Sequence, residues 1–417
     1  MPIRIASTWN MMLLRCAKVA ARAVGTRRPL QAAPVMTQLR FPVRIGERST
    51  STAPPTADVF DIKNWAPLMH AATVAEAQAV LANPATDINY TCQHGWTPLI
   101  VQSFLNRDSA IVDLLLRQPT VRTNAQNNMG ATALMLAAEE GHIEIVSALL
   151  RHPSVKVNLQ DNSGHTALML AAQAGHADVV AALLQHPAID VGLQSLDEST
   201  ALNEACEGGH VDVVRQLLAH PEVQAHLQRN KEDIVSWIFA SGEGHVDIVK
   251  LLLEQPAIYH GGMALLVAAT TGQTAVVELM LAQPGVDCNI TDDLGISALM
   301  LAADGGYADI VELLLAHPSI DCNLQDCHGI SPLISATMSG HADVVALLVQ
   351  HPETNIDLRE NEHGATALMV AAQEGRKDLV DLLAFKADRS LTNKDGYTAR
   401  DFAEAFQHHE LLELLRP

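Results

Sequence analysis

The strongest constraint in this sequence is a block of about 34 residues that repeats along most of the chain. Gly-Ala-Thr-Ala-Leu-Met occurs at 130–135 and again at 364–369, and Gly-His-Thr-Ala-Leu-Met occurs at 164–169. A second glycine follows eleven residues later, and an apolar run and a proline complete the block. This period predicts a stack of repeats, because a block of this size cannot bury its own apolar face.

One block illustrates the predicted local structure. Thr166 is expected to cap a helix, and Gly175 is expected to end it in the left-handed conformation. The apolar pattern of 178–184 predicts a second helix, which Pro187 ends. Alternating apolar residues at 189–191 predict an extended segment, so each block should contain two antiparallel helices and a projecting β-hairpin.

The sequence resembles the ankyrin repeat family, because Gly-x-Thr-Ala-Leu, Ala-Ala, Gly-His and Leu-Leu recur in register over roughly residues 61–417. The resemblance implies an all-α-dominated repeat solenoid of about eleven stacked helix-turn-helix units with short β-hairpin loops. It also implies that histidines after the second glycine hydrogen-bond between repeats. Family members bind other proteins on the concave surface, so we expect the same of this chain.

The predicted organisation has five parts. A basic segment at 1–52 and a linker at 53–60 precede the repeats, which occupy 61–232 and 261–417 around a degenerate repeat at 233–260. The six cysteines are thinly spread, and no disulfide framework is readable from their spacing. That cysteine usage fits a reducing compartment.

The N-terminal segment differs in charge from the rest of the chain. Residues 1–48 carry nine Lys or Arg and one acid, whereas the whole chain has a net charge of −20. Residues 9–24 have helical spacing, with Arg15, Lys18 and Arg22 on one face. Such a segment is typical of a mitochondrial presequence, and predicts a mitochondrial protein. The alternatives are an unfolded basic tail on a cytoplasmic protein, or translation from Met36.

The acidic remainder of the chain argues against binding to nucleic acid or to an anionic membrane surface, because like charges repel. No run of about eighteen apolar residues predicts a membrane span. A protein partner is expected, and a basic one is compatible with the charge. The chain is expected to be monomeric.

The sequence contains no pattern that points to catalysis, a cofactor or a metal site. Ten of the nineteen histidines occupy two repeat positions, which favours structural roles. Cys322, Cys327 and His328 supply only part of a zinc ligand set. We therefore predict a non-enzymatic scaffold or adaptor. The alternatives are a regulatory or assembly-factor subunit in mitochondria, and an enzyme without a recognisable motif.

Two groups of residues are candidates for partner binding. The first comprises the predicted hairpin tips, which are Asn128-Met129, Asn162-Ser163, Leu196-Asp197, Asp293-Leu294, Cys327-His328 and Glu362-His363. The second comprises the aromatic residues Trp237, Phe239 and Tyr259, which flank a shortened block. Only four residues separate Pro256 from Gly261, which predicts that one hairpin is missing. Alternatively, these aromatic side chains fill space in a degenerate repeat.

Overall fold

The computed structural model describes residues 66–106, 108–229, 234–255 and 261–416. The predicted basic segment, the linker, Tyr259 and the residues that replace the missing hairpin lie outside these ranges. The described residues form two compact units. The first runs to Ser236 and includes Glu254 and Gln255, whereas the second holds Trp237–Leu253 and the residues from Gly261 onward.

The first unit is built of short helices in pairs. They are α1 Pro67–His70, α2 Val74–Leu81, α3 Pro98–Leu105, α4 Ser109–Leu116, α5 Ala133–Glu139, α6 Ile143–Leu150, α7 Ala167–Ala174, α8 Ala177–Leu184, α9 Ala201–Glu207, α10 Val211–Ala219 and α11 Pro221–Arg229. Helix α12, Val235–Gly242, crosses the boundary between the units. We call residues 66–229 the N-terminal array.

The second unit continues the same pairing. Its helices are α13 Val246–Leu253, α14 Gly261–Thr271, α15 Thr274–Leu281, α16 Ala298–Gly305, α17 Ala308–Leu315, α18 Pro332–Ser339, α19 Ala342–Gln350, α20 Ala367–Gln373, α21 Lys377–Leu383 and α22 Ala399–Ala405, followed by a 3-10 turn at His409–Leu411. We call residues 261–416 the C-terminal array. None of the helices in the described ranges is both long enough and apolar enough to span a membrane.

The helix signals predicted from the sequence are confirmed. The Thr166 hydroxyl accepts the backbone N–H of Met169 at the start of α7, and Gly175 ends that helix with a φ of 81°. The following helix, α8, buries Val179, Val180 and Leu183. First helices pack on first helices and second helices on second helices along each array, which confirms the predicted helical repeat solenoid.

The loops between repeats differ from the predicted extended hairpins. The Asp190 carboxylate accepts the backbone N–H of Gly192 at 3.0 Å, and this local bond turns the chain where an extended segment was expected. Among the described residues, strand pairing is limited to the isolated bridges Thr291–Ser297 and Arg359–Thr366. The regular repeats therefore project a finger loop, held by turns, in place of a β-hairpin with regular strands.

The N-terminal array ends in a helix where another finger loop would stand. Residues 221–229 form α11, and Gln224 donates to Gln255 at 2.9 Å. In the preceding finger loop, Gly192 holds the position that asparagine occupies in other repeats. A Cβ atom there would lie 2.9 Å from Nδ1 of His226 on α11. The irregular repeat thus has its own structure, which the sequence pattern did not predict.

Candidate protein-binding surface

The predicted tips are brought together into two rows. In the N-terminal array, Asn128 N–H donates to the His94 carbonyl at 3.1 Å and Asn162 N–H to the Met129 carbonyl at 3.0 Å. Leu196 N–H extends the row by donating to the Ser163 carbonyl at 2.9 Å. These bonds join neighbouring repeats through backbone atoms, so the position of each tip depends little on which side chain it carries.

The C-terminal array has a second row of the same kind. Cys327 N–H donates to the Leu294 carbonyl at 2.8 Å, and Asn361 N–H donates to the His328 carbonyl at 2.7 Å. Lys394 N–H continues the row to the His363 carbonyl at 2.8 Å. The two rows together contain all six predicted tip pairs.

The tips expose apolar side chains. All twelve predicted tip residues are exposed to solvent. Leu196 is 77% exposed, Met129 is 52% exposed and Leu294 is 43% exposed. Large apolar groups at these levels cost solvation free energy, yet the backbone bonds along each row hold them outward. Exposed apolar residues on a rigid row are features of protein interaction surfaces.

A different row of side chains runs beside the tips, and we call it the staple row. It was not singled out from the sequence. In most repeats the first helix begins at a capping Thr or Ser, and the residue before that cap and the fourth residue of the helix hold the two positions of a hydrophobic staple. In the C-terminal array the staple pairs are Ile296–Leu301, Ile330–Ser335, Ala365–Val370 and Tyr397–Phe402. Comparing these two positions across the repeats would have revealed the row in advance.

The staple row of the C-terminal array is open to solvent. Every member except Ser335 is at least partly exposed, and Tyr397 is 55% exposed. The rings of Tyr397 and Phe402 meet edge to face with centroids 6.2 Å apart, and Phe406 lies one turn further along. The row therefore ends in a patch of three aromatic side chains.

The staple row of the N-terminal array is closed. Its pairs are Trp96–Val101, Ala131–Leu136, His165–Leu170 and Ser199–Glu204, and all but His165 are buried. Trp96 also contacts Phe104 edge to face, with ring centroids 5.6 Å apart. Burial of these side chains leaves little apolar surface beside the tips of this array.

The closed row carries an ionisable cluster instead. Nδ1 of His165 lies 3.8 Å from the Asp161 carboxylate, and its Nε2 lies 3.9 Å from the Glu204 carboxylate. Gln173 donates to the other oxygen of Glu204 at 3.1 Å. Nearby, burial raises the pKa of the Glu139 carboxyl, and the charges of Glu140 and Asp161 raise it further.

The histidines are explained by the repeat in two different ways. As predicted, the loop histidines join neighbouring repeats, and Nε2 of His176 and of His210 lie 2.9 Å from the carbonyls of Glu139 and Gln173. Of the histidines before proline, His186 bonds within its own turn, and its Nδ1 accepts the Ala188 N–H at 3.2 Å, because the chain turns back there.

The candidate zinc fragment is not gathered into a site. Cys322 is buried with its sulfur 3.6 Å from Nδ1 of His351, whereas Cys327 is exposed at a tip. Cys288 is buried at the position equivalent to Cys322, where it packs as a small apolar residue. Within the described ranges, no three side chains of His, Cys, Asp or Glu are grouped as metal ligands.

The aromatic candidates around the shortened block do not form an exposed anchor. Trp237 is 0% exposed and ranks among the largest fully buried side chains of the described chain. Phe239 is half-buried, and Tyr259 lies outside the described residues. The structure thus places Trp237 in the interior, since its position on α12 faces inward, and corrects its selection as a surface residue.

Comparison with known families agrees with the repeat architecture. A family profile described as ankyrin repeats (3 copies) matches residues 101–195, 187–262 and 265–360, and one described as ankyrin repeat matches 363–394. No curated protein sequence matches the chain. Ankyrin repeats are in general non-enzymatic modules for protein interaction. Because these matches cover more than half of its length, the chain belongs to the ankyrin repeat family.

Proposed function

We propose that this protein is a non-enzymatic scaffold or adaptor that binds a partner protein through its tip rows. The observation that carries the proposal is the exposure of Met129, Leu196 and Leu294 on tips held by backbone hydrogen bonds. The backbone bonds between neighbouring tips reduce the reordering of the loops on binding, which lowers the conformational entropy cost of association. The geometry supplies shape and apolar contact, which are the requirements of a binding module.

Affinity capture with cross-linking tests this proposal. The full chain and a Met129→Ser, Leu196→Ser, Leu294→Ser variant would be used as baits, with Phe385→Ser as the matched control. Phe385 is 86% exposed just after α21 and lies outside both tip rows, so its loss changes exposed apolar area elsewhere. We expect one stoichiometric partner with the wild type and the control, and at least tenfold less with the tip variant.

Two outcomes would contradict the proposal. Equal recovery of the same partner by the tip variant and the wild type would exclude the tip rows as the binding surface. Absence of any partner, together with turnover of a metabolite by the purified chain, would favour an enzyme.

We further propose a mitochondrial location, which rests on the basic sequence at 1–48 alone. A role as an assembly factor or regulatory subunit there would use the same tip rows. Import of the full chain into isolated mitochondria, with loss of import after Arg15→Glu, Lys18→Glu and Arg22→Glu, is the expected result. Import that is unaffected by these changes would exclude a presequence.

A further inference from the structure

The C-terminal array has an unusual distribution of charge. Residues 251–358 contain thirteen Asp or Glu and not one Lys or Arg. A segment of the same length in the N-terminal array, residues 98–205, contains eleven acids and five Lys or Arg. The N-terminal segment can therefore neutralise part of its negative field internally, whereas the segment at 251–358 cannot.

Acidic side chains lie directly beside the open staple row in this basic-free segment. Asp293 is exposed in the tip turn that leads to Ile296. Asp304 is exposed on α16, three residues after Leu301, so the two side chains share one face of the helix. The next repeat adds the half-buried Ile330 to the apolar row. Apolar residues flanked by carboxylates form what we call the C-terminal groove, made of Asp293, Ile296, Leu301, Asp304 and Ile330.

We propose that the C-terminal groove binds a basic segment of a partner protein, one in which Lys or Arg alternates with apolar side chains. This assignment rests on the proposed scaffold function and names the chemistry of its partner. The apolar side chains of the segment would cover Ile296, Leu301 and Ile330, and its cations would face Asp293 and Asp304.

Charge and burial both favour this occupant over others. The negative field of residues 251–358 accelerates encounter with a cationic chain and repels nucleic acid and anionic lipid. An acidic segment would be repelled by the carboxylates, and a purely polar segment would leave the half-buried apolar side chains uncovered. The closed staple row of the N-terminal array offers neither feature, so the proposal applies to one array alone.

Binding of model peptides to the full chain tests the assignment. The probe is an amphipathic peptide of Leu and Lys, and the charge-reversed probe replaces each Lys with Glu. The groove variant is Asp293→Asn with Asp304→Asn. Its matched control is Asp309→Asn with Glu312→Gln, which removes the same charge from exposed positions on α17, the second helix of the repeat.

We expect the Leu–Lys peptide to bind and the Leu–Glu peptide not to bind. The groove variant should bind the Leu–Lys peptide about tenfold more weakly than the wild type, and the α17 control should change affinity less than twofold. Ile330→Ser should also weaken binding, because an electrostatic field alone would not depend on that side chain. Circular dichroism of each variant checks that the fold is retained.

Three results would overturn the assignment. Equal losses for the groove variant and the α17 control would show that the peptide responds to overall charge. No binding of the Leu–Lys peptide, with a partner still captured through the tips, would leave the scaffold function intact and remove the groove. Zero-length cross-linking of the full chain alone that joins Lys18 to Asp293 or Asp304 would identify the chain's own basic segment as the occupant.

Discussion

The two arrays share a core and a row of tips but differ in the surface beside those tips. In both, most first helices begin at a capping Thr or Ser and bury Ala-Leu-Met or a close variant of it. In the N-terminal array the staple residues are buried, whereas in the C-terminal array most are open to solvent. The comparison shows that one repeat pattern can build the same stack, while the two staple positions of each repeat decide how much apolar surface is exposed beside the tips.

The largest expected difference between the arrays is in the cost of deleting a staple leucine. Leu136 in α5 is 5% exposed, and Leu301 holds the equivalent position in α16 but is half-buried. Leu136→Ala should destabilise the protein by about 3 kcal/mol through lost burial and a cavity. Leu301→Ala should cost about 1 kcal/mol, since its side chain buries less area. Urea unfolding followed by circular dichroism measures both, and equal losses would refute the contrast between closed and open rows.

The asparagines of the finger loops provide a smaller test. Asn158 donates to the Ala188 carbonyl at 2.6 Å and accepts from Asp190 N–H at 3.0 Å. Asn323 makes the same pair of bonds with Glu353 and Asn355, each at 2.7 Å. Replacing either asparagine with alanine should cost about 1 kcal/mol, because the freed groups are exposed to water.

The effects of these two substitutions should spread differently. Asn323 bonds to the next finger loop, and Asp357 of that loop accepts the Asp388 N–H of the loop beyond it. Asn158 also bonds to the next finger loop, but that loop carries Gly192, which has no side chain to make a further bond. Hydrogen exchange should therefore show lost protection reaching the loop at 388 in Asn323→Ala, but stopping before α11 in Asn158→Ala. Loss of protection throughout α11 in Asn158→Ala would contradict this.

The smallest predicted effect concerns Glu139 in the N-terminal array. Because its folded-state pKa is raised, ionisation of this carboxyl is less favourable in the folded state, and its contribution to stability falls as pH rises through that pKa. Glu139→Gln should therefore stabilise the protein at about pH 7 by about 0.5 kcal/mol or less, with no gain at low pH. Thermal unfolding against pH measures this. Glu140→Gln removes one neighbouring charge and should give part of the same increase in stability. A loss of stability at neutral pH in Glu139→Gln would exclude the assigned cause.

The elements predicted correctly from the sequence are those with local causes. A threonine cap at 166, a glycine end at 175 and an apolar stripe at 179–183 each depend on neighbours within one or two helical turns. The tips were also located correctly, since glycine recurs at the turn that forms them. Repetition strengthened each signal, because the same pattern appears in many blocks.

The errors have causes outside the local pattern. Trp237 was selected because it lies near the shortened block, but it is 0% exposed, which agrees with the alternative that it fills space in a degenerate repeat. Helix α11 replaces a finger loop in a block whose connector has lost Asp-Val-Asn, and this loss did not reveal which structure would form. The segment at 189–191 was expected to be extended, but the Asp190 carboxylate accepts the Gly192 N–H, and this local bond competes with strand geometry.

The sequence by itself determined that this protein is a stack of helical repeats, because its period, caps and apolar stripes are local and are repeated in register. Tertiary structure alone decided which faces of that stack are open. Whether Leu136 or Leu301 is covered depends on packing with other side chains in three dimensions, which no single repeat contains. The same dependence separates a closed row in one array from the apolar groove in the other.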